Sequence, residues 1–99
     1  MDHADDEPRE VENNAAEHRY EIRVGGDLAG YAAYQDANGS RVFTHTKIDP
    51  DYEGQGLGST LVKAALDDVR QHQLTAVPRC PFVREYVQRH HDYDDIIAG

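Results

Sequence analysis

The sequence predicts an α/β fold in which a mixed sheet of three antiparallel strands and one parallel strand packs against two helices. Three segments between residues 20 and 48 alternate apolar and polar side chains, which is typical of strands with one buried face. Tight-turn residues separate these segments, so consecutive segments should pair antiparallel. A long amphipathic segment and a short apolar one follow. This order of strand, helix and strand predicts a crossover into a parallel strand.

Turn signals bound the three antiparallel strands. The first covers residues 20–24 and ends at a Gly-Gly turn, and the second covers residues 28–34 and is followed by an Asn-Gly turn. The third covers residues 41–48. Strict alternation along the third strand predicts two faces, one with Val42, Thr44, Thr46 and Ile48 and the other with Phe43, His45 and Lys47.

Two helices and one further strand complete the predicted order. Apolar spacing predicts a helix over about residues 58–72, a strand at 74–77 and a second helix over about residues 81–90. Residues 92–99 are predicted to be a short tail. The fourth strand would be free along one edge, which permits self-association and leaves the oligomeric state open.

Length and charge bound the class of protein. The chain has 99 residues, which corresponds to one small domain, with 19 acidic against 10 basic residues and a net charge of -9. Such a charge repels a phosphate backbone and argues against nucleic acid as the main partner. Residues 1–17 are charged and lack an apolar period, so we predict a disordered acidic tail there and a folded domain over residues 18–97.

Cysteine and histidine usage argues against a disulfide or a metal site. Cys80 is the one cysteine, which excludes an internal disulfide and a four-thiolate zinc site. His90 and His91 lack cysteine or carboxylate partners at ligand spacing, so no metal is predicted. No apolar run approaches the roughly 20 residues that cross a bilayer. The acidic start of the sequence lacks the order of a secretory signal, and we therefore expect a cytoplasmic protein without a membrane partner.

A glycine-rich loop separates the third strand from the first helix. Gly54, Gly56 and Gly58 allow a tight turn and a close approach of a ligand to the backbone, and the helix that follows offers free N–H groups to a phosphate. The loop lacks the lysine of a P-loop, and its G-x-G-x-G spacing differs from the dinucleotide pattern. A turn that merely lets the helix pack closely remains the alternative.

The loop resembles a known cofactor motif. Residues 53–58, between a strand and an amphipathic helix, are similar to the Gln/Arg-x-x-Gly-x-Gly/Ala motif of the GNAT acetyltransferase superfamily. Gly56 and Gly58 match its small positions, whereas Glu53 stands where the superfamily has Gln or Arg, and its carboxylate would repel a pyrophosphate. The likeness to a minimal single-domain branch covers residues 18–97. Its further features are His45-Thr46, Val77-Pro-x-Cys80-Pro-Phe82-Val, Tyr86, Arg89-His90 and Tyr93.

The resemblance implies a GNAT-like sheet that binds acetyl-CoA, with the pyrophosphate on the amides of residues 55–59 and the pantetheine arm between the third and fourth strands. It leaves the acceptor unidentified beyond an amine. The cofactor-binding residues that it implies are Thr46, Lys47, Ile48, Glu53, Gly54, Gln55, Gly56, Leu57, Gly58, Ser59, Phe82 and Arg89.

Cys80 and His45 are the candidate catalytic residues. Cys80 precedes Pro81 and should lie near the start of the second helix, where the helix dipole and nearby arginines favour a thiolate that accepts an acetyl group. His45 lies on the strand that should flank the acetyl group, where it could remove a proton. A buried packing cysteine and a structural strand histidine are the alternatives.

The sequence therefore predicts an acetyltransferase that moves an acetyl group from acetyl-CoA to an amine, either directly or through Cys80. A CoA- or acyl-CoA-binding module without turnover is a second hypothesis, because so small a domain lacks a segment that covers the substrate. A protein-interaction domain that uses the acidic tail is a third.

Overall fold

Five strands form one mixed sheet, and their order across the sheet is their order along the chain. The computed structural model describes residues 8–98. The antiparallel pairs of the first four strands and the parallel pair of the last two confirm the predicted mixed sheet. The strands are β1 (Arg9–Asn14), β2 (Arg19–Val24), β3 (Asp27–Ala37), β4 (Ser40–Ile48) and β5 (Thr75–Pro78).

Two helices cover one side of the sheet, which we call the helix face. α1 (Leu57–Gln71) and α2 (Pro81–Arg89) contact each other, and both contact β4. Short 3-10 segments lie at Ala15–Glu17, Pro50–Tyr52 and His91–Ile96. α1 buries the apolar stripe predicted from its spacing, which consists of Leu57, Leu61, Val62, Ala65, Leu66 and Val69.

The opposite side of the sheet, which we call the open face, carries mostly polar side chains. Strand register brings Glu21 opposite Tyr31 and Tyr31 opposite Lys47, on the side away from the buried Tyr20 and Ile22. An antiparallel sheet with one solvated face needs no second layer. The open face consists of Arg19, Glu21, Arg23, Tyr31, His45 and Lys47 together with their neighbours on the same side.

The prediction of a disordered tail over residues 1–17 is wrong for the part that the structure describes, and residues 1–7 lie outside it. Arg9–Asn14 forms the edge strand β1, whose partner is β2. Val11 packs against the core, and the Asn13 side chain accepts a hydrogen bond of 2.6 Å from the Tyr34 hydroxyl. Val11 is the one apolar residue of this strand, so the sequence shows no alternation of apolar and polar residues there.

A β-bulge in β4 overturns the predicted faces of that strand. Phe43 lies opposite Tyr34 and His45 lies opposite Ala33, so Thr44 is an extra residue in the ladder. Phe43 is buried on the helix face, and after the bulge Thr46 and Ile48 take that side. Because the extra residue reverses the alternation, Phe43 shares no face with His45 and Lys47, and Thr44 leaves the side of Thr46 and Ile48.

The C-terminal segment is part of the core, and the predicted tail at 92–99 is wrong over the described residues. Tyr93 and Ile96 are buried, and the Tyr93 hydroxyl donates to Asp67 at 2.6 Å. Ile97 forms a parallel bridge with Ala76 of β5, and the Ala98 amide donates to the Ala76 carbonyl at 2.8 Å. The outer edge of β5, expected to be free, is therefore partly covered.

A hydrogen-bonded network on the helix face ties three strands to α1. The Tyr20 hydroxyl donates to Asp68 at 2.7 Å and accepts from Arg41 at 2.7 Å. Arg41 also forms a bidentate pair with Asp36, and its guanidinium lies 4.2 Å from the centre of the Tyr34 ring. Burial, and then the bond to Asp68, raise the pKa of Tyr20 well above its usual range, so its hydroxyl remains a donor.

Glu21 is the one buried charged residue in the described part of the chain, although it lies on the open face. Its carboxylate accepts hydrogen bonds from Arg19 at 2.8 Å and Asn14 at 3.1 Å, and Arg23 lies 3.3 Å away. Burial alone would raise the pKa of Glu21, but the bonds from Arg19 and Asn14 hold it below its usual value.

Glu21→Gln should lower the free energy of unfolding at pH 7 by about 1–3 kcal/mol, because Arg19 and Arg23 lose their shared anion. A folded-state pKa below the unfolded value contributes stability above roughly pH 4.3, which is lost as the pH falls through the folded-state pKa. Urea titrations from pH 7 to pH 3 should therefore show a smaller acid loss in the variant. Glu12→Gln, on an exposed side chain opposite Glu21, is the control. Equal acid losses in wild type and Glu21→Gln would contradict this assignment.

Candidate functional site

A cleft opens where β5 stops pairing with β4. The parallel ladder runs from Ser40 opposite Thr75 to Phe43 opposite Pro78. The amides of Arg79 and Cys80 both donate to the Phe43 carbonyl, at 3.1 and 2.9 Å, before the chain enters α2. From residue 44 to residue 48, β4 therefore has no strand on this side within the described chain. Its backbone edge is available to a ligand.

The glycine loop presents free amides at the start of α1. Gly54 and Gly56 take positive φ values of 85° and 74°, and Gly56 is the N-cap of α1 without a side-chain capping bond. Within the described residues, none of the amides from Gly54 to Ser59 donates a hydrogen bond. These amides and the positive end of the helix dipole provide an anion site.

The loop and the free edge of β4 line one cavity of about 420 Å³. Thr46 and Ile48 form its wall on the sheet side. Glu53 is the one charged residue in the lining, so positive potential there comes from the backbone alone. The lining consists of Thr46, Ile48, Tyr52, Glu53, Gly54, Gly56, Leu57, Gly58, Ser59 and Phe82.

Gly58 has a packing role, and its partner, Phe82, could not be identified from the sequence. It lies inside α1 with ordinary helical geometry, and a Cβ built on it would be 2.5 Å from Cζ of Phe82. The Phe82 ring, which is 40% exposed, therefore rests on the Gly58 backbone and forms a cavity wall. Gly56 differs, because a Cβ there would meet no atom within 4 Å but would require a strained φ.

Cys80 lies at the inner end of the cleft, next to Thr46. It is the N-cap of α2, is 3% exposed, and its sulfur lies 3.2 Å from Oγ1 of Thr46. Arg84, one of the arginines near Cys80 in the sequence, lies beside the turn that precedes α2. Its guanidinium donates to the carbonyls of Pro78 and Arg79 at 3.4 and 3.0 Å. Arg84 thus fixes the turn that carries Cys80.

Other predicted site residues lie outside this cavity. His45 and Lys47 are exposed on the open face, where the His45 ring lies 6.0 Å from that of Tyr31. The bulge at Thr44 is the physical reason that Lys47 points away from this cavity while Thr46 and Ile48 line it. The Gln55 side chain is exposed outside the lining.

Arg89 lies beside the cavity that the glycine loop lines. A neighbouring cavity of about 150 Å³ shares Ser59 and Phe82 with it and also contains Tyr86 and Arg89. The Arg89 guanidinium donates to Glu85 at 3.0 Å, on the exposed surface of α2. Burial raises the pKa of Tyr86, which keeps its hydroxyl protonated next to this cavity.

The sequence profile of the GCN5-related N-acetyltransferase family matches residues 19–96. The chain belongs to this family. A GCN5-related N-acetyltransferase has the α/β fold described above, and membership supports acetyltransferase activity in general. Within the described residues, no helix of this acetyltransferase is long and apolar enough to cross a membrane.

Two relatives cover most of the chain. Protein NATD1 of Gallus gallus is 29% identical over 83 residues, which span 82% of this chain and 76% of that protein. Protein NATD1 of Homo sapiens is also 29% identical over 83 residues, spanning 82% of this chain and 74% of that protein.

Two solved structures share the fold. The solution structure of a GCN5-like protein from Staphylococcus aureus has a TM-score of 0.70 at 23% identity and covers 91% of this chain and 88% of that one. A ribosomal-protein-alanine N-acetyltransferase from Brucella melitensis biovar Abortus 2308 has a TM-score of 0.58 at 20% identity, with coverage of 82% and 61%. At these identities the likeness concerns the fold alone.

Alanine substitutions should separate the roles of the two glycines. Gly56→Ala should cost about 1–2 kcal/mol of unfolding free energy in urea, because alanine must adopt a left-handed backbone. Gly58→Ala should change stability by less than about 1 kcal/mol, since the exposed Phe82 ring can move aside and alanine favours a helix. Phe82→Ala in the Gly58→Ala background should remove any remaining penalty. A larger loss at Gly58 than at Gly56 would contradict this distinction.

Proposed function

We propose that this chain transfers the acetyl group of acetyl-CoA to a primary amine. The observation that carries the proposal is the shared cavity, into which both the free amides from Gly54 to Ser59 and the unpaired edge of β4 open. CoA carries a pyrophosphate and an arm with amide groups, so it matches both features at once. Membership in an acetyltransferase family supports the same ligand.

The amides at the start of α1 would hold the pyrophosphate. They donate to phosphate oxygens, and the dipole of α1 favours the negative charge. Glu53 opposes this attraction, because its carboxylate lines the same cavity. Arg89, in the cavity that adjoins Ser59 and Phe82, is available to a further phosphate at the outer end of CoA.

The free edge of β4 would hold the pantetheine arm. Its amide groups can pair with backbone groups between residues 44 and 48 in the manner of an added strand. An arm that follows this edge from Ile48 towards Phe43 carries the thioester past Thr46, close to Cys80.

Direct transfer requires one proton to be removed. The amine nitrogen attacks the thioester carbonyl carbon, the carbon–sulfur bond breaks, and the CoA thiolate leaves. His45 would take the proton from an amine that approaches the gap beside β4 from the open face, where its imidazole is exposed and where no described residue forms a hydrogen bond or ion pair with it. Backbone N–H groups beside the cleft stabilise the developing oxyanion.

Transfer through Cys80 is the second route. The Cys80 thiol gives up its proton, the thiolate attacks the thioester carbonyl carbon, the carbon–sulfur bond to CoA breaks, and CoA leaves as a thiolate that can take up that proton. The amine nitrogen then attacks the acetyl carbonyl carbon, loses a proton, and displaces the Cys80 sulfur as a thiolate. The Thr46 hydroxyl can donate to the thiolate, and the start of α2 favours its negative charge. The Cys80 sulfur is buried and does not line the cavity, but it contacts Thr46, which does. The thioester must therefore pass Thr46 to reach the sulfur.

CoA should stabilise the protein against heat. At about 100 times the dissociation constant the gain is roughly 2.7 kcal/mol, which is a shift on the order of 10 °C for this size. Desulfo-CoA should act nearly as well, and Glu53→Gln should tighten binding about two- to fivefold by removing one repulsive charge. Consumption of acetyl-CoA with an added amine separates an enzyme from a binding module. An unchanged unfolding temperature in millimolar CoA would contradict the cofactor assignment.

The mass of the intact protein distinguishes the two routes. On the route through Cys80, acetyl-CoA alone adds one acetyl mass to the protein, and hydroxylamine removes it. On that route Cys80→Ala loses the adduct and most turnover but keeps its thermal shift with CoA, because Cys80 does not line the cavity that would hold the phosphates. Full turnover in Cys80→Ala without any adduct would establish direct transfer instead. Thr46→Val, which removes only the hydroxyl, should slow formation of the adduct.

A further inference from the structure

We propose that the acceptor is a small primary amine that also carries a carboxylate, and that Lys47 binds this carboxylate in a cavity on the open face. This inference rests on the proposed acetyl transfer and names its acceptor class. It also assigns a role to Lys47, which the bulge turns away from the cofactor cavity.

The cavity lies over the first half of β3 and the end of β4, on the side of β4 away from the gap. Its volume is about 200 Å³, and it shares no lining residue with the cofactor cavity. Sites for drug-sized ligands measure roughly 300–1,000 Å³, so this one suits a molecule the size of an amino acid. Its lining consists of Leu28, Ala29, Gly30, Tyr31, Lys47, Asp49 and Pro50.

Lys47 is the one basic residue in the lining of this cavity. No described residue forms an ion pair with its ammonium group, whereas Arg19 and Arg23 on the same face share Glu21. Asp49, the one acid in the lining, accepts the Asp51 amide at 2.9 Å and caps the turn after β4. An anionic group of the ligand is therefore the complementary partner for Lys47.

Tyr31 forms a firm wall for the apolar part of such a ligand. The Arg19 guanidinium lies 4.8 Å from the centre of the Tyr31 ring, and Glu21 holds Arg19 at 2.8 Å. The ring of His45 lies on the same face, 6.0 Å from that of Tyr31. A methylene chain that packs on Tyr31 would thus lead from the carboxylate at Lys47 towards His45 and the gap beside β4.

The test compares two amines with equal chains. δ-Aminovalerate and pentylamine differ in a carboxylate against a methyl group, and acetyl-CoA consumption gives kcat/KM for each. We expect the carboxylate to raise kcat/KM about tenfold, as one charge-assisted bond provides. Lys47→Gln should bring the ratio close to one, and Lys47→Arg should largely restore it. Lys63→Gln, which removes an exposed lysine paired with Asp67 on α1, is the matched control.

A binding measurement makes the result independent of turnover. Saturation-transfer NMR on the CoA-bound protein should detect δ-aminovalerate with wild type and lose it with Lys47→Gln. The proposal is overturned if kcat/KM for δ-aminovalerate does not exceed that for pentylamine. It is equally overturned if the protein binds CoA but acetylates neither amine. It is also overturned if Lys47→Gln weakens CoA binding in thermal unfolding, which would return Lys47 to the cofactor site. Absence of CoA binding by the wild type would instead overturn the proposed function.

Discussion

The carbonyl of Phe43 accepts the amides of both Arg79 and Cys80, and the candidate site depends on this junction. Pro78 ends β5 because it has no N–H group to continue the ladder with β4. Pro81 then occupies the first turn of α2, where its fixed φ suits a helix start. Two prolines thus separate the strands after Phe43, and the separation leaves the edge of β4 unpaired beside a buried cysteine.

The helix face supplies the rigidity that such an opening requires. A gap in a sheet forfeits backbone hydrogen bonds, so the neighbouring elements must hold their positions by other contacts. The network of Tyr20, Arg41, Asp36 and Asp68 joins β2, β3, β4 and α1 at the opposite end of β4 from the gap. Tyr93, bonded to Asp67, ties the C-terminal segment to the same helix. Both networks anchor α1, whose first turn presents the free amides.

Much of the fold could be predicted from the sequence because the relevant patterns are local. The stripe from Leu57 to Val69 and the glycines before it specify a helix that follows a tight turn, and the structure has both. β1 was missed because Val11 alone faces the core while Asn13 is satisfied by a hydroxyl distant in sequence. The C-terminal segment was missed because Tyr93 and Ile96 are too few to form a period.

The site was predicted less completely than the fold, since its geometry depends on contacts between distant residues. The loop from Gly54 to Ser59 follows from composition, but the support of Phe82 by Gly58 requires α2 to lie across α1. The proximity of Thr46 and Cys80 likewise depends on where β5 leaves β4. The family resemblance assigned Lys47 to the cofactor together with its neighbours Thr46 and Ile48. The direction of the Lys47 side chain depends, however, on the bulge at Thr44, which the resemblance does not reveal.

The bulge at Thr44 makes the pairing register of β4 more important than the identity of the residue that bulges. Thr44 is exposed, and its hydroxyl makes one long hydrogen bond of 3.4 Å to the Ala33 carbonyl, so many side chains could replace it. If Thr44 instead paired with Ala33 in a regular ladder, alternation would continue unbroken from Phe43, turning Thr46 and Ile48 outward and Lys47 into the cleft. The faces of this segment are therefore set by which residues pair with Ala33 and Tyr34, and not by the side chain at the bulge, which faces solvent.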